Sequence, residues 1–334
     1  LECSKEKTNL LKEINMSVSA IFKSAVLATV FVTCGLHAKS AYVATTAIVE
    51  HPALDAVRDG IKERIMESGY SGDNLKFTYE SAQGKPDIAG QIARKLVGDN
   101  PDIIVAISTP SAQAAVTATN TIPVVFSVVT DPLAAKLVST LEKPGGNVTG
   151  LSDMANLNEH LSLIKEFVPN LKAVGIPYNP GEANSVSMLA SAKIEAEKLG
   201  IKIVESAAPK SSDVMIAAKQ LVGKVDAIYC PIDNTIISAV ESVVKVGMDA
   251  KIPVFAGDTD TVSRGAIAAV GYDYFDLGRQ TGDIVVRILK GENPGSIDVK
   301  MAKGTNLFVN SKMAEQMGVK IPQTVLERAT KIIE

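Results

Sequence analysis

Along the chain, short apolar runs without polar alternation recur between stretches of helical spacing. Ile103-Ile104-Val105-Ala106-Ile107 is one such run, and it reads as a strand buried on both faces, as in a parallel sheet. It passes into Ser108-Thr109-Pro110-Ser111, a capping residue followed by Pro in the first turn of a helix. Asp226-Ala227-Ile228-Tyr229-Cys230 repeats the construction and runs into Pro231-Ile232-Asp233-Asn234-Thr235. The alternation of strand-like and helix-like segments predicts an α/β fold with parallel sheets.

In order, the pattern predicts a strand at 42–49, a helix at 54–68, a strand at 75–80 and a helix at 87–97. In that last helix Ile88, Ile92 and Leu96 share one face. A strand at 101–107, a helix through Val116 and a strand at 122–126 follow. The run Asn147-Val148-Thr149-Gly150-Leu151 reads as a strand leaving the first lobe, with a crossing near 150–156. The second lobe then reads as helix 159–167, strand 173–178, a helix after Ser185, strand 201–205, a helix through Leu221, strand 227–230, helix 236–246 and strands 252–256 and 266–270. The chain is expected to return at Gly271-Tyr272-Asp273-Tyr274 into a helix at 276–289 of the first lobe. Leu307 to Asn310 is expected to form the last connection, with a closing helix after it.

An internal repeat supports two similar halves. Leu96-Val97-Gly98, Asp102, a strand, a polar loop with helix, and Ile122-Pro123-Val124 recur as Leu221-Val222-Gly223, Asp226, a strand, a loop with helix, and Ile252-Pro253-Val254. Open α/β sheets bind ligands beyond the carboxyl ends of their strands, and the polar loops named here all sit at such ends.

The first forty residues do not share this pattern. Met16 is read as the start, followed by Lys23, an apolar run from Ala25 to Leu36, and small residues at Ala38 and Ser40. That is the layout of a secretory signal peptide cleaved between Ser40 and Ala41, and the apolar run is short for a membrane span. A lipid anchor at Cys34 is the rival reading, against which stands the poorly matching Phe31-Val32-Thr33. Without residues 1–40 the chain holds 29 basic and 34 acidic groups, so its formal charge moves from −3 to −5. That balance carries no electrostatic footprint for nucleic acid. Cys230 is then the one remaining cysteine and reads as inert packing.

Candidate chemistry lies in the strand-end loops. Ser108, Thr109 and Ser111, with free backbone N–H groups, suit an anion such as a carboxylate; ordinary capping explains them as well. Thr130 and Asp131 end the next strand, and Asp131-Pro132 could simply start a helix. Asn184 and Ser185 fit a ligand contact or a cap. Asp233, Asp258 and Asp260, if they converge, suit an ammonium, and each also reads as a cap. His51, after the first strand, reads as a hydrogen-bonded loop residue. Tyr178, Tyr272 and Tyr274 offer apolar bodies with polar tips, suited to packing or to an aromatic or aliphatic ligand side chain. There is no dinucleotide fingerprint in helix context, no Gly-Lys-Ser/Thr phosphate loop and no Gly-x-Ser-x-Gly elbow. Three histidines form no spaced metal cluster, and no nucleophile, base and orienter assemble. A binding protein without cofactor or metal is expected rather than an enzyme.

Taken together, Glu50-His51-Pro52-Ala53-Leu54-Asp55, Ser108-Thr109-Pro110-Ser111-Ala112-Gln113, Thr130-Asp131-Pro132 and Lys143-Pro144-Gly145-Gly146-Asn147-Val148-Thr149-Gly150 resemble ABC-transporter substrate-binding proteins of the tryptophan/tyrosine-type group. So do Tyr178-Asn179-Pro180-Gly181-Glu182-Ala183-Asn184-Ser185, Asp233-Asn234-Thr235, Asp258-Thr259-Asp260 and Tyr274-Phe275-Asp276-Leu277-Gly278-Arg279-Gln280. The resemblance covers essentially all of the chain after residue 40. It departs mildly at Ile176-Pro177-Tyr178, where Pro stands near a strand end. It implies a type I periplasmic-binding-protein fold: two doubly wound parallel-sheet lobes joined by a three-stranded hinge, residues 41–153 with 275–306 and residues 154–274 with 307–334.

The expected function is an exported, periplasmic, monomeric protein that captures phenylalanine, tyrosine or tryptophan between its lobes and delivers it to a membrane permease. Ser108, Thr109 and Thr130, with Asn184 and Ser185 opposite, would take the carboxylate, and Asp233 and Asp258 the ammonium. Asp131, Tyr178, Asn234 and Tyr272 complete the expected ligand-binding set. Other classes stay open: a receptor-coupled sensor, a binder of a branched-chain amino acid or nucleoside, an exported enzyme, or a repressor-type regulator. The last would carry a basic helix-turn-helix where an export signal is read here.

Overall fold

The computed structural model describes residues 40–334. The expectations for Met16, the signal segment and Cys34 lie outside the described residues. Strands β1 (Ala41–Ala47), β2 (Leu75–Ser81), β3 (Ile103–Ile107), β4 (Val124–Ser127) and β5 (Val148–Ser152) belong to one sheet. The next five, β6 (Ala173–Tyr178), β7 (Lys202–Ala207), β8 (Ala227–Cys230), β9 (Val254–Ala256) and β10 (Ala268–Gly271), belong to a second. β11 (Lys300–Met301) returns to the edge of the first sheet, while β12 (Asn306–Asn310) and β13 (Lys331–Ile333) extend the second.

The sheet orders are β11-β5-β4-β3-β1-β2 and β13-β12-β10-β9-β8-β6-β7. Pairing is parallel throughout except between β10 and β12. In the first sheet the chain leaves β1 to one side for β2 and then returns to the other side for β3. In the second it does the same around β6, with β7 and β8. These reversals are switch points, where helices diverge to opposite faces and leave a crevice at the strand carboxyl ends.

Each sheet is buried by its own helices, giving one apolar core per lobe. β3 and β8 are buried at every position, the outcome their unbroken apolar runs require. Helices Pro52–Glu67 and Tyr274–Leu289 lie together on the first sheet, at glycine contacts so close that a Cβ on Gly60 or Gly278 would overlap a backbone carbonyl of the other helix.

Some elements differ from the sequence reading. Leu307–Asn310 is not a connection but the inner part of β12, antiparallel to β10 in the second sheet; the passage between sheets precedes it. The stretch at 236–246 is broken at Ala239 (φ −129°) into helices Asn234–Ser238 and Val240–Ala250. β11 and β13 hold two and three residues, too few to show a period, and were visible only once their partners were in place.

Candidate functional site

The segments after β1, β3, β4, β5, β6, β8, β9 and β10 meet at one cavity, and at β3 and β4 the approach is strained. Ser108, directly after β3, has φ 76° and ψ 159°, a region in which residues other than glycine are costly by about 1–3 kcal/mol. Val128, directly after β4, has φ 48°, unusual for a β-branched side chain. The Ser108 N–H is held by the Ser127 carbonyl at 2.9 Å, which ties the two strained turns together. Both residues line a cavity with about 370 Å³ of atom-free space, part of it open to solvent.

From the first lobe and its junction this cavity is lined by His51, Ala53, Leu54, Ser108, Thr109, Val128, Thr130, Asp153 and Tyr274; from the second, by Asn184, Ile232, Asp233, Asn234, Ile237 and Asp258. Ala53, Leu54, Val128, Ile232 and Ile237 form apolar wall, and among the described residues no Lys or Arg lines it. The Ser108 hydroxyl, the Thr109 hydroxyl, the His51 Nδ1 and the Asn184 Oδ1 are buried there without a hydrogen-bond partner. Buried polar groups are nearly always paired, so four unpaired ones around one cavity mark a place built for a polar guest.

The carboxylates show how the loops are knitted. Asp233 caps helix Asn234–Ser238 through Oδ1, which accepts from the Ile236 N–H at 2.9 Å. Its Oδ2 accepts from the Asn179 N–H at 2.7 Å and the Ser185 hydroxyl at 2.5 Å. Asp258 accepts from the Thr261 N–H at 2.8 Å and the Thr261 hydroxyl at 2.7 Å. Glu182, also buried, gathers Asn234 Nδ2 (2.6 Å), the Thr235 N–H (3.0 Å) and the Thr235 hydroxyl (2.7 Å). Asp153 accepts from the Thr130 hydroxyl at 3.3 Å and the Tyr274 hydroxyl at 3.1 Å. Burial raises the pKa of Asp153 to about 6, against the hydrogen bonds that lower it. Burial raises Asp258 as well, and raises Asp233 with Glu182 as a second cause. His51 is pushed down to about 3 by burial and then by Arg264, so its ring is neutral at pH 7.

Of the residues read from sequence, Ser108, Thr109, Thr130, Asn184, Asp233, Asn234 and Asp258 come together at this cavity. Four others do not line it. The Ser185 hydroxyl is spent on Asp233. Asp131 accepts from the Ala134 N–H and, across the cleft, from the Ser187 hydroxyl at 3.0 Å. Tyr178 packs against the second core, and the Tyr272 hydroxyl donates to the Met154 carbonyl at 3.0 Å. Asp260, named as a third carboxylate, also lies outside the lining.

Asn184 needs a further correction: its Nδ2 donates to the Ile232 carbonyl (3.1 Å) and Glu182 (3.2 Å), which leaves Oδ1, an acceptor, facing the cavity. That atom suits a donor, not a carboxylate. Asp153 was missed by the sequence reading, although its position one residue past β5 is the same strand-end signal that marked the others. Tyr274, weighed but left out of the expected set, supplies the cavity's phenol ring.

The profile of the family described as ABC transporter substrate binding protein matches residues 42–333. A tyrosine-binding protein of Clostridioides difficile (strain R20291) is 41% identical over 273 residues, 81% of this chain and 79% of the relative. The crystal structure of an ABC domain in complex with L-Trp from Streptococcus pneumonia is 36% identical, with TM-score 0.86 over 88% of this chain and 100% of that one. The ligand-free, open structure of a substrate-binding protein with adhesive properties from Clostridium difficile is 39% identical over 88% of this chain and 99% of that one, yet its TM-score is 0.67. With a family match running from β1 to β13 and two switch points closing on one polar cavity, the chain belongs to the ABC transporter substrate-binding protein family.

Proposed function

We propose that this protein captures an aromatic amino acid between its lobes and hands it, without turnover, to a membrane permease of the ABC type. The observation that carries this reading is the set of unpartnered buried polar atoms around the cavity. Ser108 and Thr109 offer hydroxyl donors from the first lobe, and Asn184 offers an acceptor from the second. With buried carboxylates and, among the described residues, no Lys or Arg in the lining, such a site favours a ligand bringing its own positive charge and a carboxylate that hydroxyls can hold. The apolar wall and the Tyr274 ring suit an aromatic side chain. The tyrosine-binding relative and the L-Trp complex support the same class.

In this reading the lobes comprise residues 41–153 with 275–306, and 154–274 with 307–334, and close about the strands that join them. The protein acts as a monomer on the outer side of the cytoplasmic membrane. Among the described residues no helix is long and apolar enough to cross a membrane.

Calorimetric titration of the purified protein, stripped of bound solute, against the twenty amino acids tests the reading. Tyrosine, tryptophan or phenylalanine should bind best. Failure of every amino acid to bind more tightly than about 100 μM, roughly 5–6 kcal/mol, would reject it.

A further inference from the structure

We propose that Asp153, at the junction between the lobes, carries the counter-charge for the ligand's α-ammonium, and that Asp233 and Asp258 are structural caps. This rests on the reading of the ligand as an amino acid and assigns one end of it.

Three carboxylates line the cavity, all of them buried. They differ in how fully they are already used. Asp233 receives two backbone N–H groups and a hydroxyl, at 2.9, 2.7 and 2.5 Å. Asp258 receives a backbone N–H and a hydroxyl at 2.8 and 2.7 Å. These are short bonds, and one on each carboxylate closes the first turn of the helix that follows, from the Ile236 N–H to Asp233 and from the Thr261 N–H to Asp258. Moving either carboxylate toward a ligand would uncap that helix.

Asp153 is different. Its partners are two hydroxyls, Thr130 at 3.3 Å and Tyr274 at 3.1 Å, both longer than the usual O–H···O⁻ range. Hydroxyls rotate, so neither bond fixes the carboxylate. Among the described residues no side-chain cation and no N–H of another residue hydrogen-bonds to it. A carboxylate holds about four lone-pair sites, so most of its capacity is open although its exposed fraction is 0%. Buried charge with loose partners is costly and is relieved by a cation. Among the described residues the lining provides no Lys or Arg, and the ligand's ammonium supplies the cation.

The position fits the role. Asp153 follows β5, where the chain first leaves the first sheet, and Tyr274 opens the helix by which it returns. The Tyr272 hydroxyl binds the carbonyl of Met154, the next residue along. An ammonium at Asp153 is thus held where two of the inter-lobe connections run side by side.

The test compares tyrosine and tryptophan with their des-amino analogues, the 3-arylpropionates, by calorimetry. The wild-type protein should prefer the amino acids by about 100-fold or more. In Asp153→Asn that ratio should collapse to less than about threefold, through loss of amino acid binding with the arylpropionate unaffected or improved. Asp233→Asn and Asp258→Asn should lower the unfolding temperature and keep the ratio. An Asp153→Asn protein that folds and still discriminates overturns the assignment while leaving the amino acid reading intact. Wild-type protein that binds no amino acid removes both.

A crystal structure of the wild-type complex answers without any variant. An ammonium nitrogen within about 3.2 Å of an Asp153 carboxylate oxygen supports the assignment. A nitrogen at Asp233 or Asp258, out of reach of Asp153, refutes it.

Discussion

Ser108 sets stability against binding within one residue. Its φ of 76° suits glycine, and its hydroxyl is unpartnered at the cavity. Ser108→Gly should relieve the backbone and stabilise the ligand-free protein by about 1 kcal/mol, the strain released less the added freedom of the unfolded chain. The same change should weaken amino acid binding by about tenfold, one charge-assisted hydrogen bond. Thermal unfolding and calorimetry on the one variant read both effects, and a fall in both would contradict the strain argument.

Titration at this scale has a definite sign. Asp153 has a folded pKa of about 6, above its value of about 3.9 in an unfolded chain. The folded state therefore holds the extra proton between those values, and stability falls as pH rises through that window. His51 and His160 are pushed down to about 3 and about 4 by burial. In them the unfolded chain holds the extra proton, so stability rises as pH climbs to about 6.5. The two trends oppose each other in the wild type. Asp153→Asn removes one, so its unfolding midpoint should climb more steeply between about pH 4 and 6 than that of the wild type.

Among the elements, the contact between helices Pro52–Glu67 and Tyr274–Leu289 is set by absent side chains. A Cβ on Gly278 would stand 2.2 Å from the Val57 carbonyl oxygen, and one on Gly60 2.2 Å from that of Phe275. Gly278→Ala should force the helices apart and cost about 1–3 kcal/mol, as overpacking does, readable as a lower denaturant midpoint. The buried strands were legible as elements because nothing but a two-sided burial explains five apolar residues in a row. Their neighbours were not legible. The pairing of β10 with β12, and the recruitment of Lys300–Met301 and Lys331–Ile333 as edge strands, depend on backbone groups left free by other segments, which no local pattern records. The break at Ala239 is of the same kind: Asp233 starts a helix of five residues at the cleft, and the chain must then turn to cover the sheet.

Across the whole molecule, the two lobes touch at the cleft through the Ser187 hydroxyl and Asp131, one on each side. The bond joins the two lobes across the cleft, so its loss should shorten the residence of the ligand and leave entry unchanged. Ser187→Ala should raise the dissociation rate by about two- to tenfold, one neutral donor to a charged acceptor near solvent, with little change in the association rate by stopped-flow fluorescence. An equal effect on both rates would show that the pair does not act as a latch. Small-angle scattering should show the ligand-free protein contracting when tyrosine or tryptophan is added.

The order of buried strands, the halves that repeat and the polar residues waiting at strand ends are properties of the chain itself, because burial on two faces and helix capping act through neighbours in sequence. Which of those polar residues stay free was decided by the tertiary structure. Ser185 reads as a contact for the ligand's carboxylate and Asp233 as one for its ammonium, yet the two are bonded to each other. Asp153 carried no mark beyond its place after a strand, and stands with its capacity open. A side chain is left for a ligand only when no other segment reaches it first, and that outcome exists only once every segment is in place.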